Sequence, residues 1–209
     1  MQQPLRVPPT APARLVVLAS GTGSLLASLL AAARGDYPGR VVAVGVDRDC
    51  RAVDIAKDAG LPTYIVRLSD YPDRSAWDTA ITEATSAHEP DLIVSVGFMK
   101  ILGPQFLSQY IGRVVNTHPA LLPAFPGAQA VPATLAYGVK VTGCTVHLVD
   151  AGTDTGPVLA QEAVPVLVDD DEASLHERIK VVERRLLVDV LAAVATRGLT
   201  WTGRKATIG

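Results

Sequence analysis

A buried strand that runs directly into a glycine-rich turn and a helix restricts the fold of this chain more than any other feature. Residues 15–19 form a continuous apolar run of strand length, which is typical of a strand buried on both faces. The turn at residues 20–24 follows at once, and leucines then recur at helical spacing until Gly35. A strand, a tight turn and a helix in this order begin a βαβ unit, which joins parallel strands. The chain is therefore expected to form an α/β fold.

The same alternation continues along the chain. Strand patterns occur at residues 41–46, 63–66 and 92–96, and helical patterns at residues 51–59 and 73–88. This order predicts a single open, mostly parallel, doubly wound (Rossmann-like) sheet flanked by helices. We expect one domain over residues 14–209, preceded by a flexible, proline-rich tail over residues 1–13.

The second half of the chain ends in a long helix. A short helix is expected at residues 132–137, a strand at 143–149 and an extended segment at 158–166. Ser174 and Glu177 have the spacing of a capping box, and leucines, isoleucine and valines then recur at helical spacing until Gly198. Lys180 and Glu183 lie off the centre of that apolar stripe, which predicts a solvated charged pair.

Charge and cysteine content exclude several function classes. The 209 residues carry a formal net charge of -2, and no basic surplus points to a nucleic acid partner. No apolar run is long enough for a bilayer, and no targeting segment is recognisable. Cys50 and Cys144 lack metal-ligand spacing, so we predict no metal, a buried free thiol at Cys144 and a cytoplasmic location.

The glycine-rich turn at residues 20–24 also predicts an anion site. Backbone N–H groups at a helix start attract phosphate together with the helix dipole. Gly21 and Gly23 match the first two glycines of the dinucleotide motif G-x-G-x-x-G, but Leu26 occupies the third position. We therefore predict a single phosphate group rather than a pyrophosphate, with a plain tight turn as the alternative.

Two polar side chains end another strand-like run, in the sequence VVNTHP. Side chains alternate along a strand, so Asn116 and His118 point to the same side. Pro119 has no backbone donor and stops the pairing. Ligands of open α/β sheets bind at the C-terminal ends of strands. The pair indicates either a catalytic site or a polar strand end capped by proline.

Asp154, in a loop rich in turn formers, is the candidate partner of His118. A nearby carboxylate favours the protonated imidazole and raises its pKa, which suits an acid that works near neutral pH. Asn116 would supply a second donor to an oxyanion. No serine, threonine or cysteine stands with these groups as an obvious nucleophile. The set therefore predicts direct acyl transfer through a tetrahedral intermediate.

Two further strand ends complete this set of candidates. Residues 97–102 follow a buried strand, and their apolar side chains predict either a slot for a flat heterocycle or ordinary core packing. Asp47 ends the strand at residues 41–46, and we expect an exposed loop acid there rather than a ribose ligand.

Four segments resemble, in this order, the folate-dependent formyltransferases, and among them the phosphoribosylglycinamide formyltransferases of purine synthesis. They are LASGTGS at residues 18–24, VSVGFMKIL at 94–102, VVNTHPALLPAFPG at 114–127 and VDAGTDTGPV at 149–158. The resemblance covers the chain from about Arg14 onward and implies the formyltransferase fold.

The resemblance also implies a reaction. The amine of glycinamide ribonucleotide (5'-phosphoribosylglycinamide) would attack the formyl carbon of the co-substrate 10-formyltetrahydrofolate, giving N-formylglycinamide ribonucleotide on the route to IMP. Asn116 and His118 would stabilise the oxyanion, and His118 would donate a proton. Asp154 would keep the His118 pKa high and move protons through a water.

Binding residues are implied in the same way. For the ribonucleotide they are Gly23, Ser24 and Leu25 at the phosphate, and Lys180, Val181, Val182 and Glu183 on the long helix, with Glu183 near the amine or ribose. For the folate they are Arg74, Met99, Lys100, Ile101, Leu102, Asn116, Asp150, Ala151, Gly152, Thr153 and Asp154.

Three positions depart from the family pattern. Gln129 stands where a loop histidine is frequent, and Leu25 where asparagine is frequent. Lys100 replaces a frequent arginine, so the charge is kept while bidentate geometry is lost. These departures concern the binding loops rather than Asn116, His118 and Asp154.

Three alternatives share this fold. Methionyl-tRNA formyltransferase adds a basic C-terminal domain and formyltetrahydrofolate hydrolase adds an N-terminal regulatory domain, and we expect neither in a chain of 209 residues. A noncatalytic nucleotide-binding module would have no need of Asn116, His118 and Asp154 together. The sequence leaves the oligomeric state open, and a homodimer is compatible with it.

Overall fold

In the computed structural model, which describes residues 4–209, ten strands form one sheet with helices on both faces. The strands are β1 (Leu5–Val7), β2 (Ala13–Ala19), β3 (Gly39–Val46), β4 (Thr63–Ile65), β5 (Leu92–Ser95), β6 (Val114–His118), β7 (Val141–Leu148), β8 (Val158–Pro165), β9 (Leu199–Thr202) and β10 (Lys205–Ile208). The helices are α1 (Ser24–Ala32), α2 (Arg51–Asp58), α3 (Arg74–Ser86), α4 (Pro104–Gln109), α5 (Ala130–Tyr137) and α6 (Glu172–Arg197), with a 3-10 turn at Leu68–Asp70.

The first half of the sheet is parallel, in the order β6-β5-β2-β3-β4. The central strand β2 packs on both faces. Leu15 and Val17 belong to the core under α1, α2 and α6, whereas Val16 and Leu18 belong to the core under α3 and α4. None of these four side chains is more than 1% exposed. A parallel strand covered on both faces needs a continuous apolar run, and the predicted α/β sheet is confirmed.

The second half of the sheet contains most of the antiparallel pairs. β7 runs antiparallel to both β6 and β8, and β10 joins β8 in parallel. The hairpin of β9 and β10 follows α6. Residues 199–209 have no clear strand pattern, so the sequence does not predict this hairpin, and the short helix α4 is likewise not predicted.

The N-terminal segment differs from the expected flexible tail. β1 pairs antiparallel with β9, with Leu5 opposite Trp201, and the Thr10 N–H donates to the Ala195 carbonyl at 2.8 Å. The open edge of β9 supplies backbone partners to an extended segment, which composition alone does not reveal. These contacts hold residues 5–10 against β9 and α6, and residues 1–3 of the expected tail lie outside the described residues.

The N-cap of the long helix α6 is Asp171, three residues before the predicted N-cap Ser174. The Ser174 N–H donates to the Asp171 side chain at 2.8 Å, and the Asp171 N–H donates to the Ser174 hydroxyl at 3.0 Å. The predicted box of Ser174 and Glu177 is therefore wrong, because aspartate is as good an N-cap as serine. The helix ends at Gly198, as expected.

The two cysteines and the apolar character of the helices can be compared with the sequence predictions. Both cysteines are free, and Cys144 is buried as predicted. Burial raises the pKa of the Cys144 thiol, so it stays protonated. Within residues 4–209, the helices all lack the combination of length and apolar character that crossing a bilayer requires.

A buried carboxylate on α3 fixes the start of α4, directly after residues 97–102. Asp78 accepts hydrogen bonds from the N–H groups of Gly103 at 3.0 Å and Gln105 at 2.8 Å. We expect Asp78→Ala to lower the free energy of unfolding by about 2–3 kcal/mol, because two backbone donors lose a charged acceptor. Urea unfolding followed by circular dichroism measures this change. Glu83→Ala, at an exposed position of the same helix, should cost less than about 0.5 kcal/mol, and equal losses would contradict the role of Asp78.

Candidate active site

A cleft of about 600 Å³ lies at the C-terminal ends of β2, β5 and β6. The loop after β7 and the first half of α6 complete its walls. The structure brings most of the predicted site residues to this cleft, namely Gly23, Ser24, Leu25, Met99, Lys100, Ile101, Leu102, Asn116, His118, Asp150, Gly152, Thr153, Asp154, Lys180 and Glu183. It does not bring Arg74, Ala151, Val181 or Val182 to the cleft wall.

The two polar side chains at the end of β6 face the cleft together, as strand alternation predicts. His118 is 4% exposed, and both of its ring nitrogens face acceptors. Its Nε2 lies 2.7 Å from the Phe125 carbonyl oxygen, and its Nδ1 lies 3.3 Å from an Asp154 carboxylate oxygen. A neutral imidazole carries one N–H, so only the protonated ring donates to both acceptors. The arrangement therefore suits a histidine that holds and releases a proton.

The carboxylate of Asp154 connects several parts of the cleft. Its Oδ2 accepts a hydrogen bond from the Gly127 N–H at 2.7 Å and faces His118, while its Oδ1 lies 3.6 Å from Nε2 of His147. The Asp154 backbone adopts φ 53°, in the left-handed region that non-glycine residues seldom occupy. Such strain is tolerated where surrounding contacts hold a residue in place, and it occurs often at functional sites.

The sequence analysis did not select His147, which is 2% exposed and lines the cleft. It lies directly opposite Asn116 in the antiparallel pairing of β6 and β7. The Asn116 Nδ2 is 3.2 Å from His147 Nε2, and His147 Nδ1 is 2.9 Å from the Leu148 carbonyl oxygen. Burial, as the largest influence, lowers the pKa of His147 despite the attraction of Asp154. The signal that would have found it is the shared face of Thr145 and His147, once β7 is known to pair with β6.

The glycine-rich turn enters α1 through Gly23, whose φ is 69°. A Cβ at this position would lie 2.8 Å from the Ile55 side chain and 3.0 Å from the Ala52 backbone, so only glycine fits. The first N–H groups of a helix have no partner within the helix. Those of α1 therefore remain available to an anion in the cleft.

The segment at residues 97–102 is held to the sheet at several points. The Met99 N–H donates to Ser20 Oγ at 2.8 Å, and the Lys100 ammonium lies 3.6 Å from Asp47. Arg74 donates to the Ile101 carbonyl at 2.6 Å, so it supports this segment from outside the cleft. Met99 and Ile101 are 65% and 64% exposed, which leaves an apolar surface at the mouth of the cleft.

The prediction that Asp47 is an exposed loop acid is wrong. Its side chain is fully buried and forms a salt bridge with Arg48 at 2.7 Å. Burial opposes its ionisation, but the hydrogen bond from Arg48 and the charge of Lys100 hold the Asp47 pKa below its ordinary value. Asp47 therefore anchors Lys100 instead of meeting a ligand.

The predicted solvated pair on α6 is also wrong. Lys180 pairs with Glu177 at 2.7 Å, while Glu183 is 5% exposed and lines the cleft. Burial raises the pKa of Glu183 and outweighs the opposing influence of Thr117, Lys180 and Arg184. Val181 is 63% exposed and points away from this wall. One further residue on α6, His176, lines the cleft although the sequence analysis did not select it.

Comparison with known proteins agrees with this geometry. Residues 13–191 match the formyl transferase family model. A phosphoribosylglycinamide formyltransferase of Mycobacterium tuberculosis (strain ATCC 25618 / H37Rv) is 73% identical over 209 residues, which cover 100% of this chain and 97% of the relative. A human trifunctional purine biosynthetic protein is 37% identical over 186 residues, covering 88% of this chain and 18% of that protein.

Solved structures show the same relationship. A glycinamide ribonucleotide transformylase of Symbiobacterium toebii superposes with a TM-score of 0.90 at 40% identity, covering 94% of this chain and 93% of that one. A phosphoribosylglycinamide formyltransferase of Coxiella burnetii gives a TM-score of 0.89 at 31% identity, with coverage of 94% and 93%. On sequence, fold and cleft alike, the chain belongs to the formyl transferase family.

Proposed function

We propose that this chain transfers the formyl group of 10-formyltetrahydrofolate to the amine of 5'-phosphoribosylglycinamide, giving the N-formyl product in purine biosynthesis. The observation that carries the proposal is the Asp154 carboxylate, which faces His118 in a cleft that Asn116 also lines. The 73% identity to the mycobacterial phosphoribosylglycinamide formyltransferase supports this choice of substrates.

The ribonucleotide is proposed to occupy the side of the cleft between α1 and α6. Its phosphate would accept hydrogen bonds from the N–H groups of Gly23, Ser24 and Leu25. Lys180 would contribute a positive charge, while Val181 and Val182 would shape α6 without touching the ligand. Glu183 would face the ribose or amine, because it is buried in the cleft wall and a buried carboxyl group gains from such donors.

The folate is proposed to lie on the other side of the cleft. The apolar surface of Met99, Ile101 and Leu102 fits a flat pterin ring, and polar groups of the loop at residues 150–154 would bind its edges. Arg74 would act through the Ile101 carbonyl, and Lys100 through its ion pair with Asp47. Both cations would then hold the segment in place rather than contact the pterin.

The reaction needs an oxyanion site and one acid. As the amine nitrogen bonds to the formyl carbon, the formyl oxygen gains negative charge, which an N–H group of Asn116 and the positive charge of the protonated His118 ring would stabilise. Collapse of the tetrahedral intermediate breaks the bond to folate N10, and protonated His118 would supply the proton that N10 takes. The proton released by the attacking amine would pass through a water to the neutral imidazole of His118. The carboxylate of Asp154, 3.3 Å from Nδ1, would balance the charge of the protonated ring.

A transfer assay with purified protein tests this function. With a ¹³C-labelled formyl donor, mass spectrometry should detect the label on 5'-phosphoribosylglycinamide and not on methionyl-tRNA. Without the ribonucleotide, the protein should release little formate. Formylation of the tRNA would favour a methionyl-tRNA formyltransferase, and rapid hydrolysis without acceptor would favour a formyltetrahydrofolate hydrolase. Binding of the ribonucleotide with no transfer would favour a noncatalytic nucleotide-binding module.

We also propose a cytoplasmic location, which the two free thiols support. Small molecules rather than nucleic acids are the proposed partners, in keeping with the formal net charge of -2.

A further inference from the structure

The ring of His147 has partners that define its protonation state. Nδ1 faces a carbonyl oxygen, that of Leu148, which can only accept a hydrogen bond, so Nδ1 carries hydrogen. Nε2 faces the amide nitrogen of Asn116, which can only donate, so Nε2 is an unprotonated acceptor. These two contacts therefore favour the neutral Nδ1–H tautomer. The lowered pKa of the buried His147 ring agrees with that state.

This tautomer decides how Asn116 presents its amide. The Asn116 NH₂ group has two hydrogens, and His147 accepts one of them. The second hydrogen stays free on the same nitrogen, at a residue that lines the cleft. With His147 protonated, two donors would face each other, and the amide would gain by turning its oxygen toward His147. The N–H groups would then leave their present position.

We propose that His147 is a positioning residue, whose neutral imidazole fixes the amide of Asn116 so that it presents an N–H to the formyl oxygen. This inference rests on the proposed function for its catalytic consequence, but the tautomer itself can be measured without substrate. His147 acts only through Asn116.

The surroundings of His147 set the direction of its pH response. The charged or titratable groups that face it are Asp154 and Asp150 from the loop after β7, and His118 from β6. Burial lowers the pKa of His147 and outweighs the carboxylates, so the neutral ring persists below the ordinary pH range of histidine titration. Acidification through the lowered pKa should protonate Nε2, which then has Asp154 Oδ1 at 3.6 Å as a competing partner.

The first test is ¹⁵N NMR of the histidine rings in the free protein. The chain has four histidines, so the signal lost in His147→Gln identifies the ring. At neutral pH its Nε2 should have the shift of an unprotonated nitrogen and its Nδ1 that of an N–H. An Nε2–H tautomer or a charged ring would overturn the proposal, whatever reaction the protein catalyses.

The second test is a double-mutant cycle measured by kcat. His147→Leu should lower kcat by about 10- to 100-fold with KM nearly constant, because the donor is misplaced rather than removed. His147→Gln keeps an acceptor and should recover most of this loss. In an Asn116→Ala background, His147→Leu should cost less than about threefold, since the group it positions is absent.

Additive effects in the cycle would overturn the proposal, and so would a glutamine variant as impaired as the leucine variant. His88→Gln is the matched control, because His88 stacks on Tyr64 away from the cleft and should leave kcat unchanged. If the wild-type protein transfers no formyl group at all, the proposed function fails, while the NMR test still decides the arrangement of His147 and Asn116.

Discussion

Asp154→Asn should lower kcat by about 10²- to 10⁴-fold, with KM for both substrates changed far less, because general acid–base catalysis is worth this factor. Asparagine has the shape of aspartate and can still accept from the Gly127 N–H, which Asp154 binds at 2.7 Å. It cannot balance the charge of a protonated His118, whose Nδ1 lies 3.3 Å from the carboxylate. The loss would therefore fall on proton transfer and oxyanion stabilisation rather than on binding.

A thermal melt and the KM values separate this mechanism from a general loss of structure. Asparagine tolerates the left-handed backbone that Asp154 adopts at φ 53°, so the variant should remain folded and keep its KM for both substrates. Asp169→Asn removes the same charge at an exposed position and is the control. A variant at Asp154 with kcat within about threefold of wild type would exclude Asp154 from the proton-transfer steps.

The sequence was sufficient to predict the parallel half of the sheet. Residues 15–19 are apolar without interruption because β2 is covered on both faces, and the glycine at position 23 is needed at φ 69°. Strand alternation alone placed Asn116 and His118 on one face. The predictions agree with the structure at these positions because burial of a strand, the turn conformation and side-chain alternation each depend on a few consecutive residues.

The parts of the fold and of the site that the sequence did not predict depend on pairing between distant segments, which the local residue pattern does not encode. His147 joins the site only because β7 runs antiparallel to β6 in a register that sets it opposite Asn116. A shift of one residue would point it to the other face. β1 and the hairpin of β9 and β10 are short edge elements whose partners decide whether they form at all.

The sequence also did not predict that two acidic side chains are buried. Asp47 follows the strand β3, and Glu183 lies on the helix α6. Acidic side chains at such positions are usually exposed to solvent. Both are buried here, Asp47 because Arg48 and Lys100 supply positive partners, and Glu183 because it lines the cleft. Burial raises the pKa of Glu183, whereas Arg48 and Lys100 lower the pKa of Asp47 despite its burial. Sequence spacing does not distinguish these two situations.

Asn116→Ala should cost about 2.7–4 kcal/mol of transition-state stabilisation, which is about 10²- to 10³-fold in kcat, as for the loss of one oxyanion donor. The formyl oxygen is nearly neutral in the ground state, so KM should change little and kcat and kcat/KM should fall together. Asn116 is half-buried at the end of β6, and a thermal melt should show that the variant remains folded.

A second substitution at the same position tests whether donation, rather than shape, is what matters. Asn116→Asp keeps the volume but, when ionised, offers only acceptors and adds a negative charge to a cleft that already holds Asp154. It should therefore be slower than Asn116→Ala, since the charge repels the developing oxyanion. If the kcat of the alanine variant stayed within about threefold of wild type, or the aspartate variant had a higher kcat than the alanine variant, the oxyanion would have to be stabilised by His118 alone.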